Sequence, residues 1–341
     1  MSSGSGEIDS VLSALPAIPA GTKIGFLKAV SFLFGGVGSY ISTWIRRASQ
    51  PVDDKTDARS LITKAVAEAA AKEASSDPEI VRAAIAAYLP KELRRAENKA
   101  RVVQAAAATL IEQPENRASS DEIDEDWLNM FERSCEDASS EQMQRMWGRV
   151  LAGEITEPGR FAKSTVRLIS ELDKQTAEIF EEYCSNSVQG ILFHIDEIDF
   201  PVSRLIQLES AGLITGASGA FGWVAPVIEE NQVAILGKKL ALLGILETGK
   251  GFSITASQFT KAGSEISTLI LPTDEEAVLQ KISGYLETMK PSVVRKDRLL
   301  GLSLCEIKDT SGTSYSLNEL RRMFGVNPFL DRMAEESETK T

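Results

Sequence analysis

Residues 142–169 read QMQRMWGRVLAGEITEPGRFAKSTVRLI, and their spacing decides how the chain folds. Met143, Met146, Trp147, Val150 and Leu151 recur at steps of one, three and four, the pattern of a helix with one buried face. Ser139 or Ser140 opens that helix, with Glu141 and Gln142 in its first turn. The Thr-Glu-Pro-Gly turn ends it, and further helices are predicted at Ser164–Leu172 and Ala177–Cys184. Just upstream, Trp127, Met130 and Phe131 give the preceding helix its own apolar face. Trp147, at helical spacing with Met143 and Leu151, belongs in the core. Glu154 and Arg167 fit an ion pair pinning one helix to the next. Glu141, Glu154, Glu157 and Arg160 could converge, yet a carboxylate cluster without a third group or a metal does not make a catalytic site.

These residues carry a family likeness. Asp126-Trp127, Gln144, Trp147, Leu151-Ala152, Glu154, Pro158-Gly159 and Thr165-Val166-Arg167-Leu168 resemble the pattern of the bacterial family called domain of unknown function 2806. The basic segment RRAENKAR and the Gly-rich, Trp-containing N-terminal segment also look like that family, so the likeness spans roughly residues 25–270. Gly148 inside the helix and Lys163 in the turn depart from the pattern. The family has no settled chemistry to transfer. Its members occur in bacterial accessory and phage-defence gene neighbourhoods, so the resemblance implies an immunity setting. In that frame Trp127, Trp147, Glu154, Pro158, Gly159 and Arg167 are structural positions, and no residue is assigned a catalytic role.

Moving toward the N-terminus, Ala-rich helices are predicted from Asp53 or Asp54 to about Ser75 and from Pro78 to about Tyr88. Pro90 punctuates, and a longer helix follows from Lys91 to about Glu112. Its first turns hold Lys91, Arg94, Arg95, Lys99 and Arg101, and the acidic run DEIDED follows at 121–126. Solvated faces with some mutual pairing are the plain reading of both runs, and an anionic-lipid or ligand site on the basic run is the sharper one.

Residues 23–47 carry no charge between Lys28 and Arg46. That run reaches about 26 Å as a helix, short of the roughly 30 Å hydrocarbon core, so it is not expected to span a bilayer. Leu27, Val30, Phe34, Val37, Ile41 and Trp44 form one helical stripe, with Lys28, Arg46 and Arg47 flanking. Packing into the protein's own core or an oligomer seam is the first reading of this stripe. A helix lying in a membrane interface is the second.

Beyond Ser187 the composition turns toward strands. FPVSRLIQLESAGLI reads as a short helix running into a strand, and GASGAFG as a hairpin tip before Trp223, an order that winged-helix domains share. Residues 233–271 read as two or three strands around Thr248-Gly249-Lys250-Gly251, then a helix at Thr260–Leu269. Neither glycine loop matches a phosphate-binding signature, so both are expected to be hairpin turns. Five basic and five acidic residues balance between 200 and 271, and SRLIQLESAG holds one arginine, which argues against a DNA-reading surface. A helix at Glu275–Met289, a short strand pair through Leu304–Ile307 and a helix at Leu317–Phe324 complete the reading.

The formal charge of −12 repels phosphate backbones. Cys135, Cys184 and Cys305 are scattered, which suits a reducing cytoplasm with buried thiols. The single histidine, His194, sits in an apolar segment and reads as a packed residue; no metal site and no cofactor is expected. The predicted architecture is a mainly α N-terminal domain followed by a small α+β, winged-helix-like domain. Its parts are an N-terminal segment (1–52), a helical domain (53–186), the α+β domain (187–330) and a polar tail (331–341). The function expected is a non-enzymatic sensor or adaptor, cytoplasmic or peripheral on the inner membrane. It would act through homo-oligomer, co-encoded effector or anionic-membrane contacts rather than nucleic acid. A winged-helix DNA-binding regulator and a cryptic hydrolase are the alternatives.

Overall fold

A computed structural model of the chain describes residues 18–34, 78–112, 121–195, 201–217, 222–229, 231–247, 253–270, 274–288, 299–311 and 314–325. The chain divides into two compact units, Met1–Ser170 and Glu171–Thr341. The first is helical, and the second is α+β with antiparallel sheets. Helix Lys174–Asn186, grouped above with the helical domain, falls in the second unit.

The first unit contains α1 (Ala20–Leu33), α2 (Pro78–Glu112), α3 (Glu125–Glu136), α4 (Glu141–Thr156) and α5 (Lys163–Glu171), whose last residue crosses the boundary. Two helices open on side-chain caps. The Asp124 carboxylate accepts from the Trp127 amide at 2.8 Å, and the Ser140 hydroxyl accepts from the Met143 amide at 3.3 Å. The core forms where α2 and α4 pack together, with α3 and α1 against them. Val102, Val103, Ala106 and Leu110 of α2 are buried, as are Trp147, Val150, Leu151 and Ile155 of α4. Gly148 is what lets the two helices approach. A β-carbon there would sit 2.5 Å from the Ala105 side chain and 2.8 Å from the backbone of Ala105 and Ala106.

Pro90 does not end a helix as expected; it lies inside a single 35-residue α2. A proline costs the helix one amide hydrogen bond, but Pro90 is exposed, so water can serve the carbonyl left open. The helix predicted between Asp53 and Ser75 lies outside the described residues.

The second unit holds α6 (Lys174–Asn186), α7 (Val202–Ser210), α8 (Lys261–Ser267), α9 (Glu275–Thr288) and two antiparallel sheets. In the first sheet β7 (Ser253–Phe259) is central, with β1 (Ile191–Phe193) along one edge. Along the other edge run β2 (Ile214–Thr215) and then β3 (Gly222–Val224). The second sheet has the order β4 (Val227–Glu229), β5 (Gln232–Leu236), β6 (Leu240–Leu246), β8 (Leu299–Ser311) and β9 (Ser314–Gly325). Every residue of Ala241–Leu246 is buried, as a central strand covered on both faces must be.

Three expectations are overturned in this unit. GASGAFG does not link a hairpin: β2 and β3 do not pair with each other but with successive lengths of β7. Residues 248–251 lie outside the described residues, and the strands on either side of them, β6 and β7, pair in different sheets rather than with each other. The helix predicted at Leu317–Phe324 is part of β9, and the short strand pair at 304–307 is the middle of the 13-residue β8. LNELRRMF has helix-forming side chains, yet a ladder to β8 running from Ser314 to Gly325 outweighs that local preference. The ladder carries two bulges in β9, at Leu320 and Met323, and one in β8 at Lys308.

Candidate functional site

The 127–167 motif is the feature around which a site would be expected, and its geometry can be read atom by atom. Glu154 is only 1% exposed, near the end of α4. One carboxylate oxygen accepts from the Gly159 amide at 2.7 Å and the other from the Phe161 amide at 3.0 Å. The carboxylate therefore grips the turn that follows its own helix. Gly159 adopts φ of +85°, a left-handed conformation that side-chain-bearing residues take at a cost, so the Pro158-Gly159 pair is what brings the Phe161 amide back to Glu154. Phe161 is held a second way: the Trp127 indole donates to its carbonyl at 2.8 Å.

The aromatic side chains lock the same knot. Trp127 stacks on Phe131 at 5.1 Å between ring centroids, and Phe131 meets Trp147 edge-on at 5.6 Å. Gly153 faces the Phe161 ring, where a β-carbon would come within 2.8 Å. Outside the knot, Lys163 bonds Asp124 at 3.0 Å and Asp126 at 3.3 Å. Arg167 lies on the exposed face of α5. The sequence named Trp127, Trp147, Glu154, Pro158 and Gly159 but missed Phe161, on which three of these contacts converge. Nothing in its spacing marked it.

The basic run of α2 divides in two. Lys99 is half-buried and donates to Glu132 at 2.7 Å and to the Leu33 carbonyl at the end of α1 at 3.0 Å, with Glu136 at 3.4 Å. Burial works against its charge, but the two glutamates outweigh it and hold the Lys99 ammonium above its ordinary range. Arg95 pairs with Glu92 and Glu136. The DEIDED run, by contrast, meets other lysines: Glu122 with Lys28, and Asp124 and Asp126 with Lys163.

Of the N-terminal stripe, Val30 is fully buried and Leu27 and Phe34 partly so. The face α1 turns inward is Thr22, Phe26, Ala29, Val30 and Leu33, packed on α4, α2 and α3. Lys28 is exposed and tied to Glu122. Val37, Ile41, Trp44, Arg46 and Arg47 lie outside the described residues. Among the described residues no helix is long and apolar enough to cross a membrane.

In the second unit, α7 turns Val202, Ser203, Ile206 and Ser210 to solvent, while its one arginine, Arg204, bonds Glu182 at 2.7 Å. The amides of Gly216 and Ala217, in the glycine loop, are taken by the Glu209 carboxylate at 2.7 and 3.3 Å. His194 is half-buried, with Nε2 3.3 Å from the Ser257 hydroxyl, which also meets the Tyr183 hydroxyl at 3.0 Å. Burial lowers the His194 pKa and raises that of Tyr183. It pushes the Cys184 and Cys305 thiols up to about 12 and raises Cys135 further, so none of the three is an activated nucleophile. Among the described residues no three His, Cys, Asp or Glu side chains gather as a metal site.

Residues 90–192 match the family described as "Protein of unknown function (DUF2806)". The match includes the basic run and the whole 127–167 motif, and is narrower than the likeness read from the sequence. No curated protein matches the chain, and no solved structure does.

Proposed function

We propose that residues 90–192, which belong to the DUF2806 family, build a scaffold rather than a reaction centre. On this reading the chain is a non-enzymatic bacterial sensor or adaptor, cytoplasmic or peripheral on the inner membrane. It acts by contact with further copies of itself or with a co-encoded effector, and the family resemblance supplies an anti-phage defence setting. Glu154 carries the reading. The one acidic residue at the heart of the motif is buried, with both oxygens engaged by the amides of the adjoining turn. A general acid or base needs reach to a substrate, and this carboxylate faces its own backbone.

The choice of protein over DNA as partner is supported by α7, the helix a winged-helix regulator would present. Its open face carries no cation, and Arg204 is neutralised by Glu182. DNA binding draws on several unneutralised phosphate contacts. Random duplex DNA in a gel shift should therefore show no tight complex at moderate salt; a tight complex would replace the adaptor reading with the regulator. Light scattering on the full chain checks the oligomer, and a monomer across the accessible concentrations would remove that part. A Glu154→Gln protein that stays folded but loses all biological activity would favour the hydrolase.

A further inference from the structure

Seven-residue steps along α2 place Ala87, Arg94, Arg101 and Ala108 on one line of the helix, and all four are exposed. Lys91 flanks this line on one side, and Glu97, half-buried, on the other. Among the described residues, Lys91, Arg94 and Arg101 have no carboxylate partner, unlike Arg95 and Lys99 on the inward face. The nearby Glu92 is bonded to Arg95. A chain of net charge −12 thus leaves three cations unneutralised along about 15 Å of a single helix face.

We infer that this face of α2 is a contact surface for anionic phospholipid headgroups. The array is linear and lies on a convex helix, which suits a planar charged sheet and not a pocketed small anion. Ala87 and Pro90 before the cations and Ala108 after them are short, so the plane can come close to the helix backbone at both ends of the array. Arginine and lysine side chains reach out from there to phosphate oxygens. Acidic groups elsewhere on the chain repel the membrane weakly once they lie more than a Debye length of about 8 Å from it. Each Lys or Arg near an anionic leaflet raises partitioning about fivefold. Three therefore give on the order of a hundredfold, and about twentyfold if Glu97 offsets one of them.

The inference does not depend on the adaptor reading, nor on the stripe beyond Phe34. It is tested by co-sedimenting the full chain with vesicles of pure phosphatidylcholine, or with about 30% phosphatidylglycerol, at about 50 and 300 mM salt. Binding is expected only with the anionic vesicles, weakening at the higher salt. Lys91→Ser/Arg94→Ser/Arg101→Ser should lose about twenty- to a hundredfold in partitioning, with an unchanged thermal midpoint because all three side chains are exposed. Phe34→Glu/Trp44→Glu should retain it. Equal binding by wild type and the triple variant, or equal binding to neutral vesicles, would overturn the proposal. So would a wild-type complex with duplex DNA that the triple variant loses, in the absence of vesicle binding.

Discussion

At position 148, α4 has no room for a methyl group. Gly148→Ala would drive a carbon into the Ala105–Ala106 backbone, which cannot swing aside as a flexible side chain could, so α2 and α4 must separate. A loss of about 2–3 kcal/mol is expected in chemical unfolding. Gly159 is the opposite case. Nothing lies within 4 Å of a β-carbon there, so Gly159→Ala should cost only the left-handed backbone, about 1 kcal/mol. Similar losses from the two alanines would mean that the α2–α4 contact is looser than drawn. Glu154→Gln keeps one acceptor oxygen but sets an amide donor toward a backbone N–H. It is expected to cost about 2 kcal/mol, and Glu154→Ala more. The sequence displayed the identities of Trp147 and Glu154 and their helical spacing. It could not display Phe161's role, because a backbone carbonyl and amide leave no mark on residue type.

Among the turns and loops, one device recurs. Backbone amides at a tight turn point outward together and attract an anion. Here the anion is supplied by the chain: Glu154 for Gly159 and Phe161, Glu209 for Gly216 and Ala217, Glu275 for Lys238, Lys239 and Leu240. Glu209→Ala should therefore speed hydrogen exchange at Gly216 and Ala217 while Gly159 stays protected; unchanged rates would remove the clamp's role. Helix starts were legible because caps are local, as at Ser140. Sheet partnership was not, because nothing near Leu317 states which distant strand pairs with it. The β9 error follows directly: Leu317–Phe324 has a helical composition, and only β8, brought alongside by the fold, makes it a strand.

Across the whole molecule, charge sets how the two units respond to acid. Hydrogen bonding to Lys163 holds Asp124 below the ordinary aspartate range, Lys28 does the same for Glu122, and the Thr176 hydroxyl for Asp173. A carboxyl whose pKa is lowered by folding contributes stability above its unfolded value, and loses it as pH falls through the folded one. That window lies below about pH 4. His194 acts earlier. Burial depresses its folded pKa, so the unfolded chain takes up a proton first, and stability declines as pH falls below about 6.5. The lysines at 99 and 163, both raised, keep their contributions until pH climbs above about 10. Acid should then weaken the fold in two steps, the first in the second unit and the second reaching both. His194→Gln should abolish the upper step in a thermal-midpoint series from about pH 8 to pH 3 and leave the lower one in place. A wild-type midpoint that is flat from pH 7 to 5 would show that the imidazole is hydrated in the folded protein and that its contact with Ser257 is not sealed from water.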